Sequence, residues 1–226
     1  MLKPVMFVHI PKNGGMTIRR NPELRQRVLL ADSRLHKSAL YTRSLHETME
    51  KHGEHHGNEH ARWRDWHPQV RENHRAVAIV RNPWSRVVSR FEFAKKVIHV
   101  EKKQPESYAD VTSFEAFLEE RHKWGGMEFF WHRATRGWFP ALDHVVDDEG
   151  NVRCDILRFE NYNDAVKMYF GTLTNPPPRN VTGYDQSKYK SYYNEQTIQI
   201  VADWYKKDID YWGFDFDSGA TRNYWA

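Results

Sequence analysis

The stretch Ala76-Val77-Ala78-Ile79-Val80 has no polar side chain and is closed at once by Arg81-Asn82-Pro83. A strand that is apolar on both faces has to be covered on both, which is the situation of an inner strand in a parallel sheet. Asn82 has the chemistry of a helix N-cap and Pro83 that of a first helical residue. A helix is therefore expected from Pro83 to about Ile98, with Val87, Val88, Phe91 and Ala94 turned inward. This strand and its helix already confine the chain to the α/β class.

The same order of elements recurs along the chain. Residues 5–10 are nearly continuous in apolar character and end in Pro11-Lys12-Asn13-Gly14-Gly15, after which Met16-Thr17-Ile18 begins a helix. Asn21-Pro22 interrupts or restarts that helix, and residues 27–31 read as a second strand. Further strands are expected at 144–146 and 155–159. Helices are expected at 114–122 behind Ser113, at 161–170, and at 194–212 where Gly213 stops the helix. The expected architecture is a parallel sheet flanked by helices in a single domain over residues 1–226. Only 32–73 breaks the pattern. It collects His36, His46, His52, His55, His56, His60 and His67 and reads as an irregular insertion on the substrate side.

Composition narrows the function. The 9 Trp, 11 Tyr and 12 Phe exclude a disordered chain. Cys154 is the only cysteine, so neither an intramolecular disulfide framework nor a cysteine-based zinc site can be built. No run of about 18 apolar residues occurs, and the first ten residues turn polar too soon for a secretory signal. The expectation is a soluble, cytoplasmic protein with no membrane partner. The net charge of +4 hides an asymmetry: residues 1–99 hold 19 Lys/Arg against 9 Asp/Glu, and residues 100–226 hold 15 against 21. A polyanionic ligand held by the first part accounts for this, as does an uneven solvated surface.

Two segments carry the chemistry. In the first, Lys12 and two glycines stand between a buried strand and a helix. Glycine lets backbone N–H groups approach an anion, the helix start adds partial positive charge, and lysine adds a full one. This phosphate cradle is not the GxxxxGK[ST] loop, because the lysine precedes the glycines and no magnesium-binding hydroxyl follows. In the second, Arg81 stands at a strand's carboxyl edge and Ser89 about two helical turns later. The pair can bracket one phosphate, with the guanidinium as a paired donor. Arg86 and Arg90 on the same helix read as solvated surface. Trp124, Trp131 and Trp138 recur every seven residues, as on one buried helix face; with Trp63 and Trp66 they are also the candidate sugar-stacking platforms.

Ile10-Pro11-Lys12-Asn13-Gly14-Gly15 and Val80-Arg81-Asn82-Pro83-Trp84-Ser85-Arg86-Val87-Val88-Ser89 together resemble the paired nucleotide-binding motifs of the sulfotransferase family. Leu157-Arg158-Phe159-Glu160-Asn161-Tyr162 resembles that family's RFEN block. Trp204-Tyr205-Lys206-Lys207-Asp208-Ile209-Asp210-Tyr211-Trp212-Gly213-Phe214 resembles its carboxyl-terminal helix and DxxxxGY/F ending. The four blocks stand in the family's order over almost the whole chain, and they are closest to the branch that sulfates carbohydrate and related hydroxyl groups.

The resemblance implies a P-loop nucleotide-kinase-like α/β fold that takes 3′-phosphoadenosine 5′-phosphosulfate (PAPS) as sulfuryl donor, with no metal required and a hydroxyl-bearing acceptor, a carbohydrate. Carried over by position, Lys12, Asn13, Gly14, Gly15, Met16 and Thr17 hold the 5′-phosphosulfate, and Arg81 and Ser89 hold the 3′-phosphate. Met16 stands where the family usually has Thr or Ser, and Thr17 is the hydroxyl beside it. The acceptor's proton needs a base. His60, 21 residues before Arg81, is the first candidate, with His56, His67, Glu54 and Glu59 as alternatives. His52, His55, His56 and His60 have ligand-like spacing, but Gly53 and Gly57 oppose the helix that would align them, so no metal is assigned. Residues 183–190, with Ser187 and Lys188, are placed as a cover over the nucleotide or as a plain surface loop. A small-molecule kinase shares the expected fold but lacks its GK[ST] loop. A basic nucleic-acid-binding module finds no motif here, so no nucleic-acid partner is expected; a relative that only binds nucleotide is the remaining alternative.

Overall fold

The structure, a computed structural model, describes residues 3–172 and 186–225. Strands β1 (Val5–Val8), β2 (Val28–Leu30), β3 (Arg75–Val80) and β4 (Cys154–Arg158) form one parallel sheet in the order β2-β1-β3-β4. The period of two along each strand sorts its residues between two cores. Met6, Val8, Ala76, Ala78 and Val80 face the larger one, and Phe7, Val77, Ile79 and Leu157 the smaller one.

Helix α1 (Gly15–Arg19) follows β1, and its Ile18 joins the smaller core. Before β3 come α2 (Ala39–Lys51) and α3 (Pro68–Asn73). After β3, α4 (Pro83–Lys95) starts as expected: the Asn82 side chain accepts from the Ser85 N–H, and Pro83 fills the first position. Its continuation, Lys96–Val100, winds as a π-helix. Then follow α5 (Phe114–Trp124), α6 (Leu142–Val145), α7 (Tyr162–Phe170), α8 (Glu195–Trp204) and α9 (Lys206–Trp212).

Four expectations need correction. Residues 32–73 are not irregular throughout: α2 runs 13 residues behind a Ser38 cap, and Tyr41, Leu45 and Met49, four apart, bury one face. Residues 144–146 are not a strand. His144 and Val145 end α6, and Val146 makes only an isolated antiparallel bridge to Val152. The helix at 194–212 is broken at Tyr205, whose ring is buried and whose hydroxyl accepts from Arg90 at 2.9 Å, so it caps α8 and opens α9. Trp124, Trp131 and Trp138 are buried but lie at the end of α5, in a 3-10 turn and in a loop, and Trp63 and Trp66 are buried with them. None of the five offers an open stacking platform.

The order β2-β1-β3-β4 sets the site. From β1 the chain moves to β2 on one side of the sheet and later to β3 on the other. The crevice at the carboxyl ends of β1 and β3 is therefore the topological switch point, where open α/β sheets bind ligands. Among the described residues no helix is long and apolar enough to cross a membrane.

Candidate active site

Three segments converge at this crevice: the loop after β1, Arg81 after β3, and Phe159 after β4. Gly14 has φ 81°, and a Cβ there would lie 2.9 Å from the Tyr162 ring and 3.1 Å from Phe159. Gly15 is equally confined, since a Cβ would fall 2.0 Å from Cδ2 of His9. Both glycines are required by left-handed backbone or close approach. Asn13 is buried and donates from Nδ2 to the Ile79 carbonyl at 2.8 Å, which ties the loop to β3; among the described residues its Oδ1 is buried without a partner. Thr17 is buried and Met16 half-buried at the start of α1. That helix has five residues, so its dipole is small.

Arg81 is 2% exposed. It donates to Ser85 Oγ through Nε at 2.9 Å and Nη2 at 2.7 Å, and through Nη1 to the Lys12 carbonyl at 3.2 Å, while its plane lies over the Phe159 ring at 4.3 Å. Ser85, Ser89 and Phe93 are four apart and share a face of α4. Ser85 orients Arg81, Ser89 is buried one turn on, and Phe93 carries the Lys12 ammonium 4.1 Å above its ring. The sequence brings Arg81 and Ser89 forward as partners. Ser85, spaced four from Arg81, is the member it left unread.

What surrounds Lys12 is cationic. Burial, and after it Arg81, Lys96 and Arg90, bring the Lys12 ammonium down to a pKa of about 7. Among the described residues no carboxylate pairs with Lys12. A half-buried cation among cations, beside an unsatisfied amide oxygen and two cramped glycines, fits an anionic ligand with at least one donor group.

Arg86 and Arg90 are not solvated. Arg86 is 2% exposed and donates from Nε to the Pro11 carbonyl at 3.2 Å and from Nη1 to that of Phe139 at 3.0 Å. Arg90 is fully buried, bonded to Tyr205 and, at 2.6 Å, to the Thr135 carbonyl, with its plane 3.9 Å over Trp138. Arg86 thereby holds the residue before Lys12 in place.

The candidate bases part company. His60 donates from Nδ1 to the His9 carbonyl at 2.8 Å, because a carbonyl can only accept. Its Nε2 then carries the lone pair, 4.0 Å from Glu59 Oε1. Burial lowers the His60 pKa to about 4. His56 contacts Glu50 at 2.9 Å and stacks on His46 at 3.8 Å. His67 caps α3 by accepting from the Gln69 N–H. Glu54 is buried in ion pairs with Arg133 at 2.7 Å and Arg136 at 3.1 Å. Of these candidates, His60 and its neighbour Glu59 are tied to the strand that feeds the Lys12 loop. His52 packs against Trp124 and Phe130, and His55 accepts from Gly57, so the four spaced histidines do not converge. The cover placed at 183–190 lies in part outside the described residues, the Ser187 side chain included.

A family profile described as "Sulfotransferase family" matches residues 3–215. The chain belongs to the sulfotransferase family. Neither the curated proteins nor the solved structures return a match. Membership accounts for sulfuryl transfer in general and for the parallel sheet flanked by helices, the sulfotransferase fold.

The remaining sulfotransferase-like blocks brace the crevice. Glu160 Oε1 accepts from the Asn82 N–H at 2.7 Å, and Asn82 Nδ2 donates to the carbonyls of Asp215 and Ser218 at 2.8 Å each. Asp208 is buried and accepts from the Ala141 and Leu142 N–H groups at 2.7 and 2.8 Å; burial raises its pKa to about 6. These carboxylates position the start of α4 and the turn before α6.

Proposed function

We propose that this sulfotransferase moves a sulfuryl group from PAPS to a hydroxyl of a carbohydrate acceptor, with Lys12, Asn13, Gly14, Gly15, Met16 and Thr17 at the phosphosulfate and Arg81 and Ser89 at the 3′-phosphate. The observation that carries the reading is the junction of Arg81 with the Lys12 carbonyl, which makes two cationic segments the two walls of one crevice.

When bound, PAPS supplies a sulfuryl group on a phosphate leaving group. The bond from sulfur to the bridging oxygen breaks as the bond from the acceptor oxygen to sulfur forms, and the departing electron pair remains on the bridging oxygen. Lys12 stabilises that charge, and the loop N–H groups orient the group for in-line attack. His60 takes the acceptor's proton on Nε2, its Nδ1–H held by the His9 carbonyl. Glu59, 4.0 Å away, stabilises the imidazolium so formed. Lysine and backbone donors suffice for a group less charged than a phosphoryl group.

A carbohydrate acceptor is supported by an open groove of about 420 Å³ lined by Thr42, Arg43, His46, Glu47 and Glu50 on α2 and by Arg34. His46 Nε2 is bonded to Asn58 Oδ1 at 2.9 Å, and Asn58 begins the 3-10 turn that ends at His60. The charged and hydroxyl side chains of that groove, linked to the His60 turn through Asn58, offer a polyol hydrogen-bond partners.

The test is a thermal melt with 3′-phosphoadenosine 5′-phosphate, which raises the midpoint by linkage, against ATP with magnesium, which does so poorly. A radiolabelled-donor assay over oligosaccharides and small alcohols then identifies the acceptor. No shift at saturating product nucleotide refutes the reading.

A further inference from the structure

His9 follows β1 directly and is 4% exposed. Its ring lies flat enough against the loop that a Cβ on Gly15 would come within 2.0 Å of Cδ2 and 2.3 Å of Nε2. Nδ1 is buried with no hydrogen-bond partner, and Nε2 makes no hydrogen bond among the described residues. Burial, with His60 next, keeps the ring neutral, so one nitrogen carries a proton and the other a lone pair. A buried N–H without a partner is rarer than a buried acceptor without one. Only Nδ1 is both fully buried and unpartnered, so the proton belongs on Nε2, the atom on the Gly15 side. The same residue's carbonyl receives the His60 Nδ1–H, and the two rings stand 4.2 Å apart between centroids. His9 thus touches the candidate base through its main chain and the loop through its ring.

We infer that His9 Nε2–H donates a hydrogen bond to an oxygen of the anion held at Gly14 and Gly15, which makes His9 a further binding residue of this site. The inference rests on the reading that this loop holds the sulfuryl end of the donor. It adds no covalent step: His9 neither gains nor loses a proton, and it orients the group that Lys12 and His60 act upon. A ring that served only as a wedge beneath Gly15 would need no polar edge there, and a phenyl ring would fill the same space.

The experiment is long-range 1H–15N NMR on protein labelled at histidine nitrogen and backbone amide, with His9 assigned from the His9→Gln spectrum. Inorganic sulfate and 3′-phosphoadenosine 5′-phosphate are titrated separately. The expected result is a neutral His9 protonated at Nε2, with that resonance moving together with the Gly14 and Gly15 amides. In calorimetry, His9→Phe weakens the product nucleotide about tenfold or more, as loss of a hydrogen bond to a charged group does. His9→Gln, which keeps an N–H, stays within a few-fold of the parent. A proton on Nδ1, or loop amides that respond while His9 does not, overturns the role of His9 and leaves the site reading standing. Loop amides that ignore both probes overturn the two together. Should His9→Phe fail to fold, the tautomer and titration of the parent protein decide the matter.

Discussion

The guanidinium of Arg81 donates to the main-chain carbonyl of Lys12 at 3.2 Å, across 69 residues of sequence. That bond joins the loop after β1 to the start of α4 and leaves the Lys12 side chain to lie along α4 toward Phe93. Lys12 itself has φ 67°, a left-handed backbone unusual for a lysine, held by its neighbours in the crevice.

Lys12→Ala is expected to lower single-turnover transfer by about 10²-fold or more, the usual cost of removing a group that stabilises developing charge. Its melting temperature should hold or rise, because the side chain removed is a cation crowded by Arg81, Lys96 and Arg90. Transfer at the parent rate would take Lys12 out of the reaction.

Lys12 also predicts a proton linkage. Its pKa in the free protein is about 7 against an ordinary 10.5. At pH 8 it is mostly neutral, and an arriving anion favours the charged form. Binding of 3′-phosphoadenosine 5′-phosphate should therefore take up a proton and weaken as pH rises above 7. In the absence of ligand the unfolded chain binds more protons than the folded one between pH 7 and 10.5, so this group's contribution to stability rises with pH there. Calorimetry at pH 8 in two buffers of different protonation enthalpy reads the uptake, and equal heats would count against it.

Ser89→Ala should weaken the product nucleotide about tenfold, the loss of a hydrogen bond to a charged group. The free protein should melt almost unchanged. Ser85→Ala differs: it releases two of the bonds that orient Arg81, so affinity and stability fall together. Melting curves with and without nucleotide separate the two patterns.

His60→Asn keeps an N–H that can reach the His9 carbonyl but has no basic nitrogen. Transfer is expected to fall by about 10²- to 10⁴-fold while nucleotide affinity is kept. With a pKa of about 4 in the free protein, His60 is already neutral at pH 6, so the acid limb of kcat/KM should lie below 6.5. A pH–rate profile with its limb at 6.5 or above points to another group.

Acid should unfold this protein early. Burial lowers His60 to about 4 and His132 to about 3, and it lowers His9, His36 and His144 as well. Below the ordinary value of 6.5 the unfolded chain takes protons that these rings refuse. Stability should then drop as pH falls from 6.5 toward 4, with a slope of at most about 1.4 kcal/mol per pH unit from a ring such as His132 that stays neutral over that range. Urea titrations at pH 7, 6 and 5 measure the slope.

The sequence by itself determined what local rules decide. The apolar runs placed β1, β2 and β3, because a strand covered on both faces reads as a near-continuous apolar run. Asn82-Pro83 placed the start of α4, because capping is settled within three residues. The four spacing of Tyr41, Leu45 and Met49 would have placed α2 as well, had the histidines around it not hidden the stripe. Only the tertiary structure decided which charged residues go inside. Arg86 and Arg90 look like solvated helix surface until Pro11, Phe139, Thr135 and Tyr205 arrive from distant parts of the chain to accept their hydrogen bonds. His60 gains its tautomer from a carbonyl 51 residues away. Burying a polar group is tolerated only when a partner meets it, and the identity of that partner is a property of the packed chain.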